Sequence, residues 1–421
     1  MYEPFVFELD ENKKNLTQDT SDVLTTTSIP HPLFSLGFHS FLHRTKSGMN
    51  ITNNLESNNR FYEVIDEFRP NIKDNNEDLN NHFSKMVKDN NLLTDSFYGI
   101  WEILSLFEIT EKGNMNVSVL GDGTGAVTQS FLKFRELNNQ KNDSVNSVAI
   151  KPEKNKYDNM SKSLVESYKK NLKVHKTYTS VTSKKYTSKD TGDITDLKTI
   201  SLFSDKLKNN NNLVIANARA LINDDNYIEQ NSYKILLGEI ITMLKVIKKG
   251  GHFVLRINET FTHSTIKLIY LVNHYFEKNF IYKPYLTNYV SSDKYLVCKN
   301  FKYDSKVISS DIKKLEQMLE KIDSNLNVND IFTDFTLPES FVKIFKYINT
   351  NYANNQQILI NKIISYIKNN NYFGEEYHQS KDRQIKANRW WLDHFTKTSD
   401  IKEILNKRIK YHMDDLNIFL K

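Results

Sequence analysis

The 421-residue chain is 39% hydrophobic and 26% charged, enough to bury a sizeable core and too apolar for a disordered or fibrous protein. Its formal charge of +6, carried mostly by lysine, admits a polyanionic partner but equally suits a solvated lysine surface. The single cysteine, Cys298, excludes an intramolecular disulfide and a thiolate cluster for zinc. With no signal-peptide pattern and no apolar run of membrane-spanning length in view, a cytoplasmic protein without a membrane partner is expected.

Residues 1–60 hold Ser, Thr and Asn clusters with short apolar islands such as Pro32-Leu33-Phe34, and read as a loosely structured arm. From Phe61 to Phe107 apolar residues recur at helical spacing, with Trp101, Leu104 and Phe107 on one face. Val117 to Leu120 suits a buried strand. Gly121, Gly123 and Gly125 then punctuate a tight turn that contains Asp122 and Thr124, and the pattern turns helical from Ala126. Strand, glycine turn and helix bring backbone N–H groups close to a nucleotide-like ligand, because a Cβ would block the approach and positive φ costs glycine little. The spacing GxGxG suits S-adenosylmethionine better than a dinucleotide.

A second strand is expected at Ser147 to Ile150, and a lysine-rich helix over Tyr157 to Leu172. In TGDITDLKTI (Thr191 to Ile200), Asp193 falls at a strand end and Asp196 at a helix N-cap. Leu213 to Ala216 reads as a strand that delivers Asn217. Tyr227 to Lys249 carries an apolar face and meets a glycine stop at Gly250-Gly251, with Lys248 and Lys249 suited to a helix C-terminus. His252 to Ile257 is a strand, Thr265 to Glu277 a helix, and Phe280 to Tyr282 and Tyr295 to Cys298 close the sheet.

This alternation specifies an α/β fold, a mostly parallel sheet of about seven strands with helices on both faces and a ligand at the carboxyl ends of the strands. Past Tyr303 the strand signal ends. Ser310 suits the N-cap of one helix, Pro338 opens a second, and Ile360 to Ile367 mark a third. The tail adds Trp390 and Trp391, whose helical spacing favours core packing over stacking on RNA bases. The division expected is an arm at 1–60, an α/β domain at 61–302 and an appended α-helical domain at 303–421. His39, His43 and His252 lack a metal-ligand spacing with carboxylates.

Residues from about 90 to 300 resemble the FtsJ-like RNA ribose 2′-O-methyltransferases, particularly the cap-specific, Adrift-type branch of eukaryotes and large DNA viruses. The segments that carry the resemblance are SFYGIWEIL, GDGTGA, TGDITD, LVIANA, MLKVIKKGGHFVLRI and YLTNYVSSDKYLVCKNF, in that order. GDGTGA also looks like the cofactor loop of methyltransferase regions in negative-strand RNA virus polymerases. The resemblance implies a Rossmann-like sheet that binds S-adenosylmethionine through Gly121, Asp122, Gly123, Thr124, Gly125 and Asp193, and a capped mRNA partner.

The family transfers its methyl group through a Lys-Asp-Lys-Glu tetrad, and here the matching positions are Gly99, Asn217, Arg256 and Asp293. Asp293 keeps the charge and the acid function, and Arg256 keeps the positive charge, but a guanidinium stays protonated and cannot act as a base. The second strand also ends in Ile150-Lys151-Pro152, without the acid that holds ribose hydroxyls in many methyltransferases. The resemblance therefore implies an inactive homologue, an RNA- or protein-binding subunit tied to mRNA capping or transcription, in a host cytoplasm or a virion. Two alternatives stay open. One is an active enzyme with a base relocated to Lys85, Lys88 or Lys294; the other is a scaffold docked on a capping enzyme, a polymerase or virion proteins.

Overall fold

The computed structural model describes residues 5–12, 14–18, 22–55, 61–70, 92–150, 160–174, 192–220, 224–323, 325–369, 374–396 and 401–419. Ten strands lie within them: β1 (Phe5–Leu9), β2 (Val23–Thr26), β3 (Asn116–Leu120), β4 (Ser144–Val148), β5 (Leu172–Val174), β6 (Asn211–Ala216), β7 (Ile247–Ile257), β8 (Phe276–Lys283), β9 (Lys294–Phe301) and β10 (Asn327–Ile331). Eight of these form one sheet in the order β1-β8-β9-β7-β6-β3-β4-β5. From β7 to β5 all neighbours are parallel; β9 runs antiparallel to both β7 and β8, and β1 antiparallel to β8. The expected seven-stranded core is therefore present, with Val117 to Leu120 at its centre between β4 and β6. Every residue of β6 is buried, as a strand covered by helices on both faces requires.

The eighth strand comes from the arm expected to be loosely structured. In β1, Val6 enters the core on one face of the sheet while Phe7 and Leu9 enter the other, the alternation that a strand imposes. Val23–Thr26 pairs antiparallel with Asn327–Ile331, so strand structure continues beyond residue 303 as well. A helix over Leu36–Gly48 packs on the helix Glu339–Lys368.

Several other boundaries differ. Of the helix expected over 157–172, residues 157–159 lie outside the described residues; within the rest it spans Lys162–Ser167 and gives way to β5 at Leu172. Helix Ile228–Val246 ends without a glycine stop: Ile247 is already extended, and Gly250 and Gly251 lie inside β7. Gly250 has φ +77° and a Cβ on Gly251 would meet Lys248 O at 2.9 Å, so the pair shapes an irregular strand entry where the β6–β7 register shifts. Lys248 and Lys249 pair with Glu111 and Asp304 across that strand, not with a helix end. The helix Ser309–Lys321 lacks the expected Ser310 cap, and Glu339–Lys368 is one 30-residue helix where two were expected. Asp196 does cap the helix Leu197–Ser204, accepting from Lys198 N at 2.9 Å.

The C-terminal helices share the cores of the sheet. Leu315, Phe345 and Ile348 join Leu237 and Ile241 on one face, while Trp391, Phe395 and Leu405 join Trp101 and Val117 on the other. Among the described residues no helix is long and apolar enough to cross a membrane.

Candidate cofactor and acceptor site

At the carboxyl ends of β3, β4, β6 and β7, where the strand order reverses, a cleft of about 1060 Å³ opens. The glycine turn, Ile150, Asp193, Asn217 and Arg256 all line it.

The turn is held by protein contacts. Gly121 has φ +73°, and a Cβ there would lie 2.4 Å from Ala218, so the backbones of the turns after β3 and β6 touch. Gly125 has φ +95°, and its Cβ would strike Met160 Sδ at 2.4 Å and Leu164 Cδ2 at 2.6 Å. At these two positions glycine is required by the fold itself and not by a ligand's approach. Gly123 and Thr124 line the cleft. Asp122, expected to contact the cofactor, turns its carboxylate inward and accepts from Thr128 N at 2.8 Å and Val127 N at 3.3 Å. It serves the N-terminus of helix Ala126–Leu137, and burial raises its pKa.

Among the described residues no strand leads into Asp193, which opens the turn before Leu197–Ser204 and accepts from Thr195 N and Oγ1, both at 2.8 Å. A Cβ on Gly192 would meet Ala149 O at 2.3 Å, so this turn is pressed against the end of β4 and Asp193 faces the cleft beside Ile150. β4 stops at Val148, short of the expected Ile150. Lys151 and Pro152 lie outside the described residues. The volume, the glycine-rich turn at a helix N-terminus and the carboxylate at Asp193 fit an adenosine-bearing cofactor.

Gly99, Asn217, Arg256 and Asp293 line the same cleft. Gly99 lies in the helix Ser96–Leu106, where a Cβ would sit 3.2 Å from Pro284 Cγ. Asn217 leaves β6 with its N–H bound to Leu120 O at 2.8 Å, and the Tyr295 hydroxyl donates to its Oδ1 at 3.5 Å. Arg256, paired in register with Tyr295, donates to the Asp293 carboxylate. Burial pushes the Asp293 carboxyl up, but Arg256, Arg219 and Lys283 together outweigh it and hold it well below its ordinary value.

Lys294 does not reach this edge. Its Nζ donates to Asn258 O, and Lys283 Nζ donates to Ser291 O at 2.8 Å and Asp293 O at 2.6 Å. Burial lowers Lys294 to about 8 and Lys283 to about 7, yet both line a smaller cavity of about 50 Å³ and neither lines the cleft. Lys85 and Lys88 lie outside the described residues.

Sequence reading missed Glu239, fully buried on helix Ile228–Val246, with Oε1 accepting from Ala218 N at 2.9 Å. Burial raises it to about 8. The available signal was an acid set between Leu237 and Ile240 on an apolar stripe. Trp391 is core, as its spacing suggested, and donates to Glu102 at 2.7 Å; Trp390 packs between Tyr285 and His394. The His39 and His43 rings lie 4.0 Å apart, and burial lowers both to about 4.

The model of the FtsJ-like methyltransferase family matches residues 95–301. The chain is 36% identical over 143 residues to cap-specific mRNA (nucleoside-2'-O-)-methyltransferase 1 of Dictyostelium discoideum, covering 32% of this chain and 18% of that protein. It is 28% identical over 155 residues to the cap-specific mRNA (nucleoside-2'-O-)-methyltransferase of Autographa californica nuclear polyhedrosis virus, covering 37% and 57%. An inactive cap-specific mRNA (nucleoside-2'-O-)-methyltransferase 1B of Caenorhabditis briggsae is 22% identical over 213 residues, covering 48% and 25%. The chain thus spans less than two thirds of the length of each of these relatives.

Proposed function

We propose, from the premise that residues 95–301 belong to the FtsJ-like methyltransferase family, that this chain binds S-adenosylmethionine and capped mRNA but transfers no methyl group at a useful rate. It acts as a binding subunit beside an active capping enzyme. The bound cofactor would supply an electrophilic methyl group on a sulfonium. Gly123, Thr124 and Asp193 would hold it, with Asp122 keeping the helix behind the turn in place.

The observation that carries this reading is the Arg256–Asp293 pair beside Gly99 and Asn217. A ribose 2′-OH that attacks a methyl carbon must surrender its proton. Gly99 offers no side chain, the Asn217 amide is neutral, Arg256 stays protonated, and Asp293 is a weak base while Arg256 holds it. Loss of general-base assistance costs about 10²–10⁴-fold in rate. The depressed pKa values of Lys283 and Lys294 favour the alternative of a relocated base, but both amines already donate to backbone carbonyls and neither lysine lines the cleft.

Transfer of labelled methyl to capped RNA tests the claim. A rate within about tenfold of an active relative overturns it. Calorimetry with S-adenosylhomocysteine and anisotropy with a capped oligonucleotide test the two binding functions separately. Silence in both leaves a scaffold that docks on capping, polymerase or virion proteins.

A further inference from the structure

Glu239 stands out as a buried acid that the tetrad logic does not use. It is 0% exposed on a helix whose neighbouring Leu237, Ile240 and Ile241 are all core. One carboxyl oxygen accepts from Ala218 N; the other has no hydrogen-bond partner, and neither does Arg256 Nε. A buried carboxyl with an unpaired oxygen costs stability, so packing alone does not account for its place. The helix cannot slide to relieve it. A Cβ on the adjacent Gly238 would meet Ile194 O at 2.1 Å, so the helix is already seated on the 193–195 turn. Ala218, in turn, is the residue that closes on Gly121.

We propose that Glu239 is the positioning residue that ties the glycine turn to Asn217 through Ala218. Its carboxyl fixes the Ala218 backbone, and Ala218 sets the depth of the glycine turn at Gly121 and the place of the neighbouring Asn217 at the acceptor edge. The proposal rests on the cofactor-binding reading for its ligand, but its geometry does not depend on it.

The test uses Glu239→Gln, Glu239→Ala and Glu239→Leu in the full chain, read by titration with S-adenosylhomocysteine and by hydrogen exchange at the Ala218 amide. Glutamine keeps an acceptor oxygen and is expected to bind within about twofold of the parent. Alanine and leucine are expected to weaken binding at least about tenfold and to speed Ala218 exchange by at least as much. Leucine, which restores an apolar side chain, is expected to melt no lower than the parent. Parental affinity or parental exchange in both the alanine and leucine variants overturns the proposal, as does a glutamine variant as weak as leucine. A parent that binds no S-adenosylhomocysteine defeats the cofactor reading alone, and Ala218 exchange then decides the positioning claim.

Discussion

Arg256 donates to Asp293 across the rim of the cleft, and the two side chains are only 12% and 15% exposed. Substituting Asp293→Asn leaves a buried guanidinium without its counter-charge, which is expected to cost about 3–5 kcal/mol in urea unfolding near pH 7. The pH dependence has a definite sign. Asp293 is held below its ordinary 3.8, so the pair's contribution is whole above that value and is lost as pH falls through the lower folded value. The gap between parent and variant should therefore close on acidification. A gap that widens in acid would contradict the assignment.

Gly121 and Gly123 should fail in different ways. Gly121→Val forces a side chain into Ala218 at a backbone φ of +73°, and the melting temperature is expected to collapse. Gly123→Val is expected to fold and to lose S-adenosylhomocysteine binding, since that residue lines the cleft. Circular dichroism melts and calorimetry on both variants check the contrast.

Glu102 accepts from Tyr282 Oη, Tyr285 N, Leu286 N and Trp391 Nε1, and so ties helix Ser96–Leu106 to the loop after β8 and to the helix Glu375–Phe395. Glu102→Leu leaves four buried donors without an acceptor. At about 1–3 kcal/mol for each, the loss should exceed about 4 kcal/mol. Tryptophan emission during unfolding reports it, and a loss under about 1 kcal/mol would show that the carboxyl is dispensable.

Rebuilding the tetrad needs more than four substitutions. Gly99→Lys would press on Pro284, whose Cγ lies 3.2 Å from the new Cβ, and is expected to destabilise the chain by about 1–3 kcal/mol until Pro284→Ala makes room. With that change, Asn217→Asp, Arg256→Lys and Asp293→Glu, methyl transfer to capped RNA should rise about 10²-fold or more over the parent. A rebuilt chain that binds cofactor yet stays inert would place the defect in the RNA groove.

The strand, turn and helix around Gly121 to Gly125 were legible in the residues. Val117 to Leu120 followed by GxGxG and a helical period is a local pattern, and its strand, turn and helix form where expected. The order of six motifs pointed to Gly99, Asn217, Arg256 and Asp293 as one group, and all four line one cleft. The directions of individual side chains were not. Asp122 sits inside the glycine turn by sequence, but the N–H groups that open the following helix draw its carboxylate inward onto Val127 N and Thr128 N.

Tertiary structure alone decided the remainder, because the deciding contacts are distant in sequence. Phe5–Leu9 stands beside a polar stretch with no glycine turn or helical period to mark it as a strand; the edge of β8 makes it one by pairing Phe5 with Lys283. Gly250 and Gly251 carry the same local signal for a helix stop and for an irregular strand entry. Asn211 O, which would lie 3.0 Å from a Cβ on Gly251, shows why the second outcome holds: β6 is packed against that backbone, and only glycine leaves room for it.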